Sequence, residues 1–253
     1  MTWPTARLLR LASGQVMWFY IAFHFLNHAL GLVSLGAAET ALKIAAAAWQ
    51  SWPGTVLLYG AFGTHLVLAL HGLHQRHTLR LPPLELMRIA FGLTIPLLLF
   101  GHVVGTRIAH SWYGEAAQYQ RVVAGLVRDG ATGWQLALLA PGWLHGCMGL
   151  NVAFRHHAWY QRWHKALIAL AIALPLCAAA GFWAMTIDVA TLDAAARPAL
   201  SPVTPAQRQS LGDLRVHLLT AYFALLMAVL LSRGWRDWRA WRESRRRGEM
   251  PSP

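Results

Sequence analysis

The stretch that decides the fold is Ala166–Ile187, "ALIALAIALPLCAAAGFWAMTI", a run without one charged side chain. A helix rising about 1.5 Å per residue needs roughly 17–25 residues to cross a hydrocarbon core of about 30 Å, and this run is long enough. The rest of the chain agrees. It is 56% hydrophobic and only 13% charged, with a mean hydropathy of +0.38, which is too apolar for an ordinary water-soluble domain. The reading is an all-α integral membrane protein.

Working outward, five more stretches have the same character: Gln15–Gly36, Pro53–Leu73, Ile89–Thr106, Trp134–Phe154 and Leu211–Leu231, the last with Asp213 and Arg215 in its first turn. The opening "MTWPTARLLR" is basic and leads into an apolar run, but that run is too long for a signal peptide and has no small-residue cleavage site. It is read as the start of a retained first helix. Placing the N-terminus inside puts Arg7, Arg10, Arg76, Arg80, Arg88, Arg155, Arg162, Lys165 and the arginine-rich tail on one side. The positive-inside rule then predicts six transmembrane helices with both termini cytoplasmic. Residues 1–232 are assigned to the six-helix transmembrane domain and 233–253 to a cytoplasmic basic helix or linker leading to further domains. The net charge of +12 lies along the inner edge, so membrane lipid, not nucleic acid, is the expected counter-charge.

Two outer loops are long enough to fold over the bundle. Arg107–Gly133, with "HSWYGEAAQYQRVV", has the spacing of an interfacial helix, whereas Asp188–Ser210 is proline-punctuated and irregular. Pro96, Pro141 and Pro175 fall inside spans, where bundles tolerate them. Gly60, Gly63, Gly101, Gly105, Gly142, Gly146 and Gly149 are expected to allow close approach, by another helix before a flat cofactor. Cys147 and Cys177 sit on separate spans and read as small buried apolar residues without a disulfide. Trp235, Trp238 and Trp241 continue the last helix into the tail.

The 13 histidines carry the chemistry. His74, His77, His110, His156, His157 and His164 lie near span ends and read as polar edges. His24, His28, His65, His71, His102, His145 and His217 lie within spans, where an ionisable residue marks function. One intramembrane histidine alone is as readily an interhelical hydrogen bond. Here the first four spans each carry at least one, and the spans hold no Glu or Lys and, outside the start of the sixth, no Asp or Arg, which disfavours a proton or ion relay. Neutral imidazole ligates iron, and two histidines on facing helices hold a haem within a bundle. Counting along the spans, His28 and His102 share a level roughly 20 Å from the inner face. His65 and His145 share a second level, a little closer to the cytoplasm. Spans one and three, and two and four, are diagonal partners in an up-down four-helix core, so two haems b, each bis-histidine, are expected, with two further helices outside that core. His24, one turn below His28 and nearer the inner level, could replace a ligand at that level or hydrogen-bond a haem or quinone. Asn27 is off that face and expected to bond another helix. Arg107 is a candidate partner for the outer propionates. Arg76, Arg88 and Arg155 are candidates for the inner ones, each equally readable as a boundary arginine. His71, with His74 and His77, reads as a solvated edge before a weak metal site, and His217 has no assignment.

The motifs "HFLNHALGLVSL" (24–35), "THLVLAL" (64–70), "RHTLRLPP" (76–83), "IPLLLFGHVVGTRIAH" (95–110) and "WLHGCMGLNVAFR" (143–155) resemble the hexahelical membrane anchor of bacterial class III adenylate cyclases. That anchor is similar to the dihaem cytochrome b subunits of succinate dehydrogenase and fumarate reductase. The resemblance covers roughly residues 10–187, with "HVVGTR" and "HGCMGL" most specific, and departs at Asn151, where another histidine is expected. It implies haem ligation by His28 or His24, His65, His102 and His145. It also implies a bacterial inner-membrane, multi-pass location, a ferredoxin-like domain and a cyclase domain further along a longer chain, and a homodimer. No catalytic domain is read in these 253 residues, so lyase activity would belong to that longer chain.

The first functional expectation is therefore a dihaem redox- or quinone-sensing receptor module regulating an attached adenylate cyclase. The second is a quinone-reactive cytochrome b electron-transfer subunit. The third is a haem-free metal transporter using the histidine clusters.

Overall fold

The computed structural model describes residues 3–76, 78, 80–114, 117–191 and 203–247. Among them there is no strand. In chain order the helices are α1 (Trp3–Ala29), α2 (Leu35–Trp49), α3 (Trp52–Gln75), α4 (Pro83–Val103), α5 (Ala109–Tyr113), α6 (Tyr119–Arg128), α7 (Thr132–Phe154), α8 (Ala158–Ala190) and α9 (Pro205–Arg246). Five of these stretches are long and apolar enough to cross a membrane: α3, α4 continued through α5, α7, α8 and α9. They correspond to the second to sixth predicted spans.

The first predicted span ends early. The α1 helix stops at Ala29, a short 3-10 turn covers Leu30–Leu32, and Ser34 caps a new helix by accepting a hydrogen bond from the Ala37 amide at 3.0 Å. The cause is a helix crossing. A Cβ on Gly31 would lie 2.4 Å from the Gly181 carbonyl oxygen, and one on Gly181 would lie 2.2 Å from that of His28. The backbones of α1 and α8 therefore touch where the chain turns. The following helix, α2, was not expected from the sequence.

α1 packs against α3, α7 and α8, and α4 packs against α7. This leaves α1 opposite α4, and α3 opposite α7, as the diagonal reading requires. α9 lies along both α3 and α4, where the Tyr222 hydroxyl donates to the Leu93 carbonyl at 2.8 Å. A core of Phe25, Trp143 and Ala178, with Trp18 stacked on Trp143, joins α1, α7 and α8. A second core of Ala38, Tyr119, Val123, Ala124, Phe182, Met185 and Val189 fixes α2 and α6 over the end of α8. The loop helix expected after Arg107 is thus α6, and it packs on protein.

Residues 192–202 of the irregular loop expected over Asp188–Ser210, the Pro/Ser end of the tail and His77 lie outside the described residues; the flanks of that loop are helical, in α8 up to Ala190 and in α9 from Pro205. Two sequence expectations change. Cys147 is half-buried, but Cys177 is exposed, because it is one helical position before the fully buried Ala178 and so points off that face. Close approach is not where most of the named glycines are. A Cβ on Gly60, Gly63, Gly105 or Gly149 would meet nothing within 4 Å, whereas one on Gly146 would sit 2.7 Å from Trp18.

Candidate functional site

The histidines gather at two levels. At the first, His65 of α3 and His145 of α7 face each other with ring centres 6.0 Å apart and planes at 86°. Backbone carbonyls orient both rings. His65 Nδ1 lies 3.1 Å from the Arg10 carbonyl, with the Ser13 hydroxyl at 3.4 Å, and His145 Nδ1 lies 2.8 Å from the Arg88 carbonyl. A carbonyl only accepts, so Nδ1 carries the proton in each ring and Nε2 keeps its lone pair. Such an outer hydrogen bond is how proteins orient a metal-bound imidazole. Glycine makes room on either side: a Cβ on Gly14 would lie 3.2 Å from His65 Cε1, and one on Gly92 would lie 2.7 Å from His145 Cε1.

At the second level, the structure sets the His24 ring 5.8 Å from that of His102. His28, matched in depth to His102 by the sequence, lies behind His24, with the two Nε2 atoms 3.2 Å apart. His102 Nδ1 pairs with the side-chain amide of Gln135 on α7, 3.0 Å from its nitrogen. His28 also meets Phe182 and Tyr119 edge-on or tilted. Asn27 lies against Tyr119. Nδ1 of His28 is buried without a hydrogen-bond partner among the described residues.

This level opens into a partly enclosed cavity of about 140 Å³, smaller than the roughly 300–1,000 Å³ of most ligand pockets. Its lining combines polar side chains, among them His24, His28, His102, Gln135, Arg107 and Arg121, with apolar ones such as Phe23, Leu42, Ala45 and Leu58. Arg107 reaches it through a π turn at Val104–Ile108. A π turn closes on the fifth residue instead of the fourth, which carries Arg107 round toward the face of His102. Its guanidinium donates to the Thr55 hydroxyl at 3.0 Å and also bonds Tyr59.

From Gly14 beside His65 to His24 is ten residues along α1, and from Gly92 beside His145 to His102 is ten along α4. Both put the levels about 15 Å apart, a wider separation than the sequence count suggests. Two imidazoles sharing one iron at about 2 Å each hold their ring centres roughly 6 Å apart. The spacings of 6.0 Å and 5.8 Å fit that geometry, as do the Nδ1 anchors of the inner pair and the unpaired Nδ1 of His28 beside the outer one. Among the described residues no three His, Cys, Asp or Glu side chains are grouped to hold a bare metal ion. A tetrapyrrole iron asks the protein only for axial ligands.

The remaining candidates lie elsewhere. Arg76 and Arg88 both pair with Glu85, and Arg155 bonds His156. His71 and His217 are exposed, the latter in a cleft with Asp213 and Trp112. Asn151 accepts from the Tyr160 hydroxyl at 3.3 Å. The sequence reading missed Gln135, Thr55 and Tyr59, whose only signal was polarity at the outer ends of spans. It also missed the Arg10 and Arg88 carbonyls, which leave none.

Fold and site together define a multi-pass α-helical membrane protein with two levels of facing histidines. No family model, curated protein or solved structure matches the chain.

Proposed function

We propose that the chain is a six-span dihaem b membrane module, with α1 as the sixth span and both termini cytoplasmic. It holds one haem between His65 and His145 and a second between His102 and the His24/His28 pair. The observation that carries this reading is the inner pair, two imidazoles about 6 Å apart, each with Nδ1 tied to a backbone carbonyl. Two histidine ligands would suit a bound haem to one-electron transfer over gas binding. Arg107 supplies positive charge where an outer propionate would end. The resemblance to cyclase anchors extends the reading to a redox- or quinone-sensing module in the bacterial inner membrane. Its output would leave through α9 to a ferredoxin-like and a cyclase domain of a longer chain, paired with a second copy.

The test is the absorption spectrum of the purified protein, oxidised and reduced. A Soret band that shifts on reduction, with about two haems per chain, is expected. His65→Ala and His145→Ala should each remove one haem and leave the other, and His102→Ala should do the converse. A protein without that band refutes the reading.

A further inference from the structure

The inner histidine pair is wired to α9 by contacts that its own ligation does not need. His145 bonds the Arg88 carbonyl at 2.8 Å, and the Arg88 guanidinium lies 3.6 Å from the Glu85 carboxylate. The same carboxylate oxygen takes a short hydrogen bond from Arg76, the residue that ends α3, which carries His65. The Arg76 carbonyl in turn accepts from Arg233 at 2.7 Å and from Arg236 at 3.0 Å, both on α9. Arg236 also bonds the His74 carbonyl, and Ser232 lies 3.2 Å from His74 Nδ1.

A second attachment lies eleven residues up α9, about 16 Å away. Tyr222 is only 4% exposed and donates to the carbonyl of Leu93, the neighbour of Gly92, whose backbone lies against the His145 ring. The segment Glu85–Leu93 thus touches His145 twice and α9 twice, directly at Tyr222 and through Arg76 at Arg233 and Arg236.

Partly exposed ion pairs contribute little stability, typically about 0–1 kcal/mol each. Their value here is geometric. The last carbonyls of α3 have no intrahelical partner and need donors, and guanidinium groups from another helix satisfy them only while α9 keeps its register against α3.

We propose that Glu85–Leu93 of α4 is the coupling element between the inner histidine pair and α9, so that a displacement of His145 and a displacement of the arginine-rich end of α9 are one event. This rests on the proposed function, because it gives the pair something to report, but the coupling belongs to the protein and is measurable without haem. By linkage the coupling is reciprocal, so disturbing α9 must disturb His145.

The experiment uses the full chain with ¹⁵N-labelled histidine, its His145 ring resonances assigned by substitution of His145. Arg236→Ala and Tyr222→Phe should each shift the His145 Nδ1 signal, and together more than either alone. Trp241→Ala, on the exposed distal part of α9, should leave it in place. Should Arg236→Ala fail to fold, Tyr222→Phe, which removes a single oxygen, carries the test. A His145 signal unmoved by Tyr222→Phe, or moved as much by Trp241→Ala, overturns the coupling. Absorbance of the same samples reports haem separately, so loss of the haem reading and loss of the coupling are distinct results.

Discussion

Gly92 and Gly14 flank the inner pair unequally, which gives a prediction with its own control. A Cβ on Gly92 would sit 2.7 Å from Cε1 and 3.0 Å from Nδ1 of His145. Ordinary contact begins at 3.4 Å, so in Gly92→Ala the ring must retreat by about 0.7 Å. It cannot do so freely, because Nδ1 is held by the Arg88 carbonyl at 2.8 Å and His65 stands opposite. Metal–ligand distances hold within about 0.2 Å, so a displacement of this size exceeds what ligation tolerates. On the other side, a Cβ on Gly14 would sit 3.2 Å from His65 Cε1, a shortfall of only about 0.2 Å. Overpacking of the first kind costs about 1–3 kcal/mol, or roughly 5–150-fold in retention of a ligand at that level. Alanine is favoured over glycine within a helix by about 1 kcal/mol, so helix propensity cannot explain a loss. The assay is haem per chain after purification, with reduced-minus-oxidised spectra. On the proposed two-haem reading, Gly92→Ala should keep about one haem and Gly14→Ala should stay close to the unsubstituted chain. Two haems with unchanged spectra in Gly92→Ala, or equal losses in both variants, would refute the argument.

Two further substitutions probe the frame around the site. In Gly181→Ala the new Cβ meets the His28 carbonyl oxygen at 2.2 Å; that neighbour is backbone and cannot rotate away, so α1 and α8 must part by about 1 Å. A cost of about 1–3 kcal/mol lowers the melting temperature by roughly 2–12 °C for a chain of this size, and an unchanged melting curve sinks the claim. Glu39 of α2 accepts a hydrogen bond from the Gln120 amide in the first turn of α6 at 2.8 Å. Its replacement by alanine removes a cap contributing about 0.5–2 kcal/mol, and should speed amide exchange in α6 while leaving the inner level intact. Exchange in α6 at the wild-type rate would show that the cap contributes nothing.

Much of the fold is legible because the membrane demands it: an apolar run such as Ala166–Ile187 has few other uses, and five spans follow from length and charge alone. α2 escaped notice because its alanine-rich sequence, Leu35–Trp49, is neither long nor apolar enough to cross, and what orders it is packing against α1, α3 and α6. The site was half legible. Counting residues gives the depth of a histidine but not its rotation, so His28 and His102 matched in depth while the structure turns His24 toward His102. The π turn at Val104–Ile108 changes rotation by a local register shift, which spacing conceals. What orients His65 and His145 is least legible of all, since a backbone carbonyl belongs to every residue and only packing decides that Arg10 and Arg88 offer theirs.

α1 shows how these limits connect. It is long enough to span, yet it does not rank with the five apolar helices, because Gln15, His24, Asn27 and His28 interrupt its sequence. Its surroundings account for this. Phe19, Phe23 and Leu26, spaced along one face, are exposed, whereas Ser13, Asn27 and His28 are buried among α2, α3, α7 and α8. A helix enclosed on most sides by protein need not be apolar all round, and polar groups within a membrane are tolerated where they face the bundle interior. α1 also serves both histidine levels, giving the Arg10 carbonyl, Ser13 and Gly14 to the inner pair and His24 and His28 to the outer cluster. The helix with the weakest membrane signature is thus the one most engaged with the site, and in part for the same reason: Ser13, His24 and His28, which lower its hydropathy, belong to the two histidine levels.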